Sequence, residues 1–431
     1  MTWIDRRAKR VFLGLAETIR YGAIEIVCPD RTYAFEGPGP GATAMMVIHD
    51  ERAFGRTLRH GDRGLGESFM DGEWSSPDLV ALLRCALRNS HAFNELNGHW
   101  SWLARQARRV RHLLRANTPD GSRANIAAHY DLSNAFFSLF LDEAMLYSSG
   151  WYADDRTSLE DAQAAKLDRL FEKLRLGPDD HLLEIGTGWG GLALRAATRF
   201  GCRVTTTTIS REQYQLAKAR IQAAGLDDRI TLLADDYRSL RGQFTKLVSV
   251  EMFEAVGLRH YDDFFAACDR LLTPDGAALL QTITISEQDF RRTYGRTEDW
   301  MQGHIFPGSE LACLSEVLRS LGRVTTLRPF HLEDIGLHYA RTIHDWRSRF
   351  FARLDDVRRL GYDDRFIRMW DLYLAFSQAA FAERHISDVH LLLTRAYHDG
   401  RYFGEGDAGP GTRASAQASV FHSGWPDRDP R

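Results

Sequence analysis

Disulfide-like cysteine spacing, long apolar runs and an excess of one charge are all missing from this sequence of 431 residues. Its five cysteines are odd in number and scattered, with no C-x-x-C pair, which argues against a metal site and predicts reduced thiols in a cytoplasmic protein. The formal net charge of -3 gives no electrostatic reason to expect a nucleic-acid partner. Apolar runs are too short to cross a bilayer, and VFLGLA before Glu17 is too short for a signal peptide. Any membrane contact is therefore expected to be peripheral.

Length and composition predict two or three folded domains of ordinary globular character. Residues 1–116 are predicted to form a small α+β accessory domain associated with lipid, in which EGPGPG at 36–41 is a loop and GDRGLGESFMDGEW at 61–74 is turn-rich. The segment NTPDGS at 117–122 predicts a domain boundary, after which residues 123–403 would form the catalytic domain. Small polar residues predict a disordered tail over 404–431.

The segment WSWLARQARRVRHLLR at residues 100–115 combines apolar and arginine side chains at helical spacing. A basic amphipathic helix of this kind can lie on an anionic membrane surface, with its arginines at the lipid phosphates. A helix between domains with a solvated basic face fits the same pattern. The sequence leaves both interpretations open.

One stretch, HLLEIGTGWGGL at residues 181–192, joins an apolar run to four glycines. It predicts a buried strand, a tight turn and the start of a helix. Strands and helices alternate after it, which predicts an α/β fold with a parallel sheet covered by helices on both faces. The predicted strands are residues 182–185, 204–209, 230–234, 247–250, 277–283 and 389–396, with a helical insertion at 342–384 before the last of them.

In such sheets the ligand lies beyond the carboxyl ends of the strands. Glycine in the first turn allows backbone to reach positive φ and to come within contact distance of a ligand, although a turn that only serves the fold is the alternative. After the third strand, Asp236 and Tyr237 suit an adenine ring, with the carboxylate on the exocyclic amine. The strand ends supply these predicted cofactor-binding residues: Glu184, Gly186, Thr187, Gly188, Trp189, Gly190, Gly191, Thr208, Ile209, Ser210, Gln213, Asp236 and Tyr237.

Six segments give the sequence a specific resemblance, and in chain order they are HYDLSNAFFSLFLDEAMLYSS, LLEIGTGWGGLA, TISREQ, DDYRSL, SVEMFEAVG and HIFPGSEL. In order and spacing they resemble the cyclopropane-fatty-acyl-phospholipid synthases and the related mycolic-acid cyclopropane synthases. The resemblance implies a Rossmann-like S-adenosylmethionine-dependent methyltransferase core, with a mostly parallel seven-stranded sheet, helical insertions and a smaller N-terminal α+β accessory domain. It also adds Tyr147 and Ser148 to the predicted cofactor site.

The same resemblance implies a reaction. The methyl carbon of S-adenosylmethionine would pass to the cis double bond of an unsaturated acyl chain of a membrane phospholipid, and the resulting carbocation would lose a proton to bound bicarbonate as a cyclopropane ring closes. By motif position, Glu254, Gln281, Ile283 and Tyr339 would hold the bicarbonate, although Glu254 could instead cap a helix. Aromatic faces that could stabilise the cation, or simply pack in the core, are Phe136, Tyr147, Trp189, Phe253 and Tyr339.

Four positions depart from the pattern of the synthases. Gln281 and Ala255 stand where many members have histidine, while Ser149 and Ser377, which complete the predicted catalytic set, stand where they have cysteine. An altered base pocket would let the cation rearrange before it loses a proton, so a methyl- or methylene-branched chain is the alternative product. A non-catalytic protein that binds lipid or cofactor is the alternative from another class. The resemblance also suggests a homodimer on the inner face of the membrane.

Overall fold

The structure is a computed structural model that describes residues 3–90, 132–293, 299–396 and 398. Three predicted features lie outside these ranges: the basic helix at 100–115, the boundary at 117–122 and the tail at 404–431. Across the ranges that are described, no helix is both long and apolar enough to span a membrane.

The N-terminal part of the chain is a small α+β unit, as predicted. Its four-stranded sheet has the order β2-β1-β3-β4, in which β1 runs antiparallel to β2 and parallel to β3. The elements are α1 (Trp3–Ala16), β1 (Tyr21–Val27), β2 (Thr32–Glu36), β3 (Gly39–Ile48), α2 (Arg52–His60), α3 (Asp62–Met70), β4 (Trp74–Ser75) and α4 (Leu79–Arg88).

Two sequence predictions for this unit are wrong. The loop expected at 36–41 is shorter, because β3 already begins at Gly39, whose N–H donates to the Arg20 carbonyl at 2.8 Å. The stretch at 61–74, expected to be turn-rich, contains helix α3. Its glycines serve close packing, since a Cβ on Gly64 would lie 2.2 Å from the Arg56 carbonyl oxygen and one on Gly66 would lie 2.4 Å from the Trp300 ring.

The second part of the chain alternates strands and helices around a larger sheet. Its strands are β5 (His181–Ile185), β6 (Arg203–Thr207), β7 (Ile230–Leu233), β8 (Phe244–Val250), β9 (Leu272–Ile285), β10 (Leu327–Asp334) and β11 (Ile386–Arg395). The helices are α5 (Asn134–Phe137), α6 (Leu159–Leu174), α7 (Gly191–Phe200), α8 (Arg211–Ala223), α9 (Tyr261–Leu271), α10 (Glu287–Thr293), α11 (Trp300–His304), α12 (Leu314–Val324), α13 (Gly336–Ala352), α14 (Leu354–Arg359) and α15 (Asp364–Ala382).

The larger sheet has seven strands in the order β10-β11-β9-β8-β5-β6-β7. The five strands from β9 to β7 are parallel, and β11 is antiparallel to both of its neighbours, so the predicted mostly parallel seven-stranded sheet is confirmed. The individual strand predictions omitted β10. This strand lies at the edge of the sheet and contains Pro329 and several exposed side chains, a pattern that gives no buried-strand signal.

A helical insertion, α13 to α15, separates the edge strand β10 from β11. It begins at Gly336, six residues before the predicted start. Large aromatic side chains from α13 and α15 pack onto the short helix α5 and the turn that follows it, with the Phe136 ring centroid 5.0 Å from that of Trp370 and the Phe140 ring centroid 6.3 Å from that of Trp346. The insertion therefore places an aromatic layer beside the carboxyl ends of the parallel strands.

Helix α15 also connects the insertion to the N-terminal unit. The Glu383 side chain, only 7% exposed, pairs with Arg88 and with Arg84, whose Nε lies 2.6 Å from Oε1. Burial opposes the charge on Glu383, but the two guanidinium groups hold the pKa of its carboxyl below its ordinary value. This carboxylate is therefore a charged contact point between the two parts of the chain.

We expect Glu383→Gln to lower the free energy of unfolding at pH 7 by about 1–2 kcal/mol, because a mostly buried anion loses two partly exposed cations. A lowered pKa stabilises the fold above the unfolded-state pKa, so the difference should fade as the pH falls below about 4.5. Thermal unfolding followed by circular dichroism at several pH values measures this. Glu172→Gln, at an exposed position on α6, is the control, and equal midpoints at pH 7 would contradict the assignment.

Candidate active site

A pocket opens at the carboxyl ends of the parallel strands β5 to β8. Of the predicted cofactor-binding residues, all but Gly190, Gly191 and Ser210 line it. Those three support it instead: Gly190 and Gly191 begin helix α7, and the Ser210 hydroxyl accepts the N–H of Gln213 at the start of α8. The predicted residues that do line the pocket are Tyr147, Ser148, Glu184, Gly186, Thr187, Gly188, Trp189, Thr208, Ile209, Gln213, Asp236 and Tyr237.

The turn after β5 requires glycine at two positions for different reasons. Gly186 has φ +99°, and a Cβ there would come within 3.1 Å of the Met252 side chain. Gly188 has φ +52°, and nothing lies within 4 Å of the point where its Cβ would stand. Its backbone thus borders open space in the pocket, which is how a glycine turn lets a ligand approach the main chain.

The polar side chains of this part of the pocket are held by neighbouring strands. Burial raises the pKa of Glu184 to about 7, and its Oε2 accepts the Thr206 hydroxyl at 2.5 Å. Asp236, predicted to meet an adenine amine, accepts two hydrogen bonds from the Arg238 guanidinium at 2.7 and 2.8 Å. The ring of Tyr237 packs edge-on against Phe264.

A buried lysine that sequence reasoning missed also lines the pocket. Lys166 on α6 is fully buried, and its Nζ donates to the Ser148 hydroxyl at 2.7 Å. Burial lowers the pKa of Lys166, while the nearby carboxyl groups of Glu251 and Asp142 favour its charged form. A lysine on the inner face of an amphipathic helix gives no sequence signal that distinguishes it from a surface lysine.

Glu251, at the end of β8, is the second residue that sequence reasoning missed, and it occupies the centre of the predicted catalytic group. Its Oε1 accepts the backbone N–H of Ser149 and the side-chain N–H of Gln281, both at 2.8 Å. Its Oε2 accepts the Tyr339 hydroxyl at 2.5 Å. The signal available in the sequence was an acidic residue directly after an apolar strand, three positions before the predicted Glu254.

Glu254 lies deeper, against strand β9. Its Oε1 accepts the Ile283 N–H at 2.6 Å and the Thr282 hydroxyl at 2.9 Å. Because these partners are on a strand, the interpretation of Glu254 as a helix cap is not supported. Burial, together with the negative charge of Glu251, raises the pKa of Glu254 to about 7.

Strand β11 adds two further buried polar residues behind Gln281. Asp388 Oδ2 accepts the side-chain N–H of Gln281 at 2.9 Å. The side-chain carbonyl oxygen of Gln281 lies 3.1 Å from Nε2 of His390. In the antiparallel register, His390 stands directly opposite Gln281. A histidine therefore lies next to the position where the synthases carry one, although it contacts the amide of Gln281 rather than Glu251.

The two predicted serines have different surroundings. The backbone N–H of Ser149 contacts Glu251, whereas its hydroxyl donates to the Gly150 carbonyl at 2.9 Å. Ser377 is half-buried on α15, and within the described ranges its side chain has no hydrogen bond to the group around Glu251. Only Ser149 joins the group, through its main chain.

The aromatic residues that were predicted to face the cation fall into two groups, one at the pocket and Glu251 and one in the core. Tyr147 and Trp189 line the pocket, and Tyr147 stacks on Trp346 with ring centroids 5.2 Å apart. Tyr339 stacks on Phe381 with its hydroxyl on Glu251. Phe136 is fully buried in the aromatic layer, and Phe253 packs among Tyr261, Phe264 and Phe265, so core packing accounts for both.

The two predicted small molecules fit this site unequally. The open turn at Gly188 and the polar strand ends fit S-adenosylmethionine. The donors predicted to hold bicarbonate are already used, since the Gln281 amide and the Tyr339 hydroxyl donate to Glu251 and the Ile283 N–H donates to Glu254. The site as it stands does not fit a further bound anion at these donors.

Comparison with known proteins agrees with this geometry. Residues 118–391 match the family model described as mycolic acid cyclopropane synthetase. The chain is 38% identical over 392 residues to tuberculostearic acid methyltransferase UfaA1 of Mycobacterium tuberculosis, covering 88% of this chain and 90% of that protein. It is 36% identical over 361 residues to the cyclopropane-fatty-acyl-phospholipid synthase of Escherichia coli K12, covering 83% and 90%.

A solved structure extends the likeness to the coordinates. Mycolic acid cyclopropane synthase CmaA1, in complex with SAH and CTAB, superposes with a TM-score of 0.59 at 28% identity, over 63% of this chain and 98% of that one. The resemblance inferred from the motifs is confirmed. The chain belongs to the mycolic acid cyclopropane synthetase family and is a lipid-related S-adenosylmethionine-dependent methyltransferase.

Proposed function

We propose that this protein transfers the methyl carbon of S-adenosylmethionine to the cis double bond of an unsaturated acyl chain in a membrane phospholipid and closes a cyclopropane ring. The observation that carries the proposal is a carboxylate group, Glu251 with Glu254, placed between an open glycine turn and an aromatic layer. The name of the Escherichia coli relative supports the phospholipid substrate and the ring.

When bound, S-adenosylmethionine supplies an electrophilic methyl group. The residues that would hold it are the backbone around Gly188, the polar strand ends at Thr208 and Gln213, and the Asp236–Tyr237 pair at the adenine end. Lys166 adds a cation on the wall of the same pocket, where it would attract the cofactor's carboxylate.

The protein must then stabilise a carbocation and remove a proton from the transferred methyl group. Tyr147 and Trp189 present aromatic rings at the pocket, and ring faces attract cations. The carboxyl group of Glu251 lines the pocket, that of Glu254 lies behind it against β9, and both can offset the positive charge. A buried carboxylate is stable there only because Ser149, Gln281, Tyr339 and Ile283 donate hydrogen bonds.

A methylene-branched chain, which a separate hydride-donating reductase would have to convert into a methyl branch, is the second candidate product. Ring and methylene group both form by loss of a proton from the same methyl, and they differ in whether a hydride shift to the more substituted cation comes first. Glu251 occupies the donors that were expected to hold bicarbonate, so the base next to the cation is different. The base determines whether proton loss comes before or after the hydride shift. The name of UfaA1, a tuberculostearic acid methyltransferase, supports this candidate.

Gly188→Val should weaken S-adenosylmethionine binding at least tenfold, because the new side chain would project into the open space at the turn. Isothermal titration calorimetry measures the affinity. Gly225→Val is the matched control, since Gly225 also has positive φ (+64°) with nothing within 4 Å but lies outside the pocket. If both variants bind like the parent protein, the glycine turn is not the cofactor site.

Glu254→Gln should lower kcat about a hundredfold while the cofactor affinity changes less than about twofold, because the amide keeps the hydrogen bonds and loses only the charge beside the cation. With a pKa of about 7, Glu254 ionises as the pH rises from 6 to 8, so kcat of the parent protein should rise over that range. The variant should lack this rise. Loss of cofactor affinity in parallel with kcat would show a structural role.

The product itself is tested with methyl-labelled S-adenosylmethionine and vesicles of a cis-unsaturated phospholipid. NMR of the acyl chains should show high-field ring protons carrying the label. A vinylidene signal would establish the branched product instead. Cofactor binding without labelled lipid would favour the non-catalytic alternative.

The domain limits at 1–116 and 123–403, the peripheral membrane contact on the cytoplasmic side and the homodimer remain proposals from the sequence. Binding of the whole protein to anionic vesicles, and its mass in solution, would test the last two.

A further inference from the structure

We propose that Glu251 is the proton acceptor of the reaction, a carboxylate built into the chain that takes the place of a bound bicarbonate. This inference rests on the proposed methyl transfer to a double bond. It concerns only which group receives the proton, and it applies equally to a ring product and to a methylene-branched product.

The first support is the set of donors around the carboxylate. Ser149 N–H, Gln281 Nε2 and Tyr339 hydroxyl come from a loop, from β9 and from the insertion helix α13, and all three converge on Glu251 within 2.5–2.8 Å. Two of these three residues, Gln281 and Tyr339, were expected to hold a bicarbonate ion. A planar carboxylate and a planar bicarbonate ask for similar donors, and here the carboxylate has them.

The second support is the backbone of Glu251. Its φ of +47° lies in the left-handed region, which is strained for a residue with a Cβ. The backbone of Glu251 is held there by its N–H, which donates to the main-chain carbonyl of Gln281 at 2.8 Å. Glycine would occupy this position without strain, so a glutamate here indicates a use for its side chain.

The third support is the distribution of charge. Burial raises the pKa of Glu251, but the Tyr339 hydroxyl, the Ser149 N–H and the Lys166 ammonium oppose that rise. Burial and the negative charges of Glu251 and Glu254 hold the pKa of Asp388 well above its ordinary value. The hydrogen bonds to Glu251 and the nearby Lys166 therefore stabilise the charged form of Glu251, the form that a base needs, whereas the charges around Asp388 oppose its ionisation.

Methyl transfer and proton loss form one sequence of bond changes. The π electrons of the double bond form a bond to the methyl carbon, and the electrons of the sulfur–methyl bond stay on sulfur, which becomes a neutral thioether. The neighbouring acyl carbon becomes a cation. A methyl C–H bond then breaks, its electron pair closes the ring, and the proton goes to Glu251. If a hydride shift comes first, the same electron pair forms the methylene double bond.

The test compares the parent protein with Glu251→Gly in buffer freed of carbon dioxide and in the same buffer with bicarbonate added. Labelled cofactor and cis-unsaturated phospholipid vesicles report turnover. We expect the parent rate to be independent of bicarbonate. Glu251→Gly removes the carboxylate and the backbone strain together, so its rate should fall about a hundredfold without bicarbonate. Bicarbonate, now able to reach the freed donors, should restore it at least tenfold.

Glu251→Gln keeps the side-chain volume and guards against a folding defect in the glycine variant. It should lose about a hundredfold in rate, gain nothing from bicarbonate, and bind the cofactor within about twofold of the parent protein by calorimetry. Glu172→Gln, at its exposed position on α6, should match the parent protein throughout.

Three results would overturn the inference: a parent rate that depends on bicarbonate, a Glu251→Gly rate equal to the parent rate without it, or a Glu251→Gln rate equal to that of the parent. All three leave the proposed methyl transfer intact, because each is observed as labelled lipid. Absence of labelled lipid from the parent protein under every condition would instead overturn the proposed function and, with it, the proton acceptor.

Discussion

Burying several carboxyl groups beneath one pocket is the constraint on which the rest of this site depends. A charged carboxylate taken from water is unstable unless donors replace the water. Here the donors come from distant parts of the chain: the loop before α6 brings Ser149, the sheet brings Gln281, and the insertion brings Tyr339. The sheet, the helical insertion and the loop must therefore all be in place before Glu251 can carry a charge.

Gln281 connects the buried carboxyl groups to residues in the core, because core side chains fix the orientation of its amide. Lys173 Nζ lies 2.8 Å from Nδ1 of His390, so Nε2 of that ring carries the proton and donates to the Gln281 carbonyl. The amide nitrogen of Gln281 is then turned toward Glu251 and Asp388. Burial and the neighbouring lysine hold the pKa of His390 well below its ordinary value, which keeps the ring neutral. The orientation of one amide is thus fixed from behind by a lysine and a histidine.

Features with strong local signals were predictable from the sequence. The glycine turn, the parallel strands and many of the residues that line the pocket follow from apolar runs, glycine spacing and the rule that ligands lie at strand ends. The edge strand β10 was not, because exposure and Pro329 remove the apolar pattern. Helix α3 was mistaken for turns, since glycines that allow close helix packing look in sequence like glycines that make turns.

The site residues that were missed share a physical reason. Lys166, Asp388 and His390 lie on regular elements, and only the tertiary fold turns their side chains inward. Glu251 was missed for another reason. Glu254 lies three positions away in the same motif and was predicted to be the carboxylate that the site requires. Two acidic residues at that spacing at the end of a strand reach different depths, with Glu251 at the pocket and Glu254 against β9.

A carboxylate fixed in the chain also differs from a bound ion in what it costs. A diffusible anion must be captured in each catalytic cycle, whereas Glu251 is always present and its donors are already oriented. The cost appears in folding instead, as left-handed backbone at a residue with a side chain and as a buried charge that several elements must satisfy. The three donors also limit how strongly the carboxylate can attract a proton. In the proposed reaction, proton loss competes with a hydride shift in the cation, so the hydrogen bonds that stabilise the buried charge would also set the balance between ring and branch.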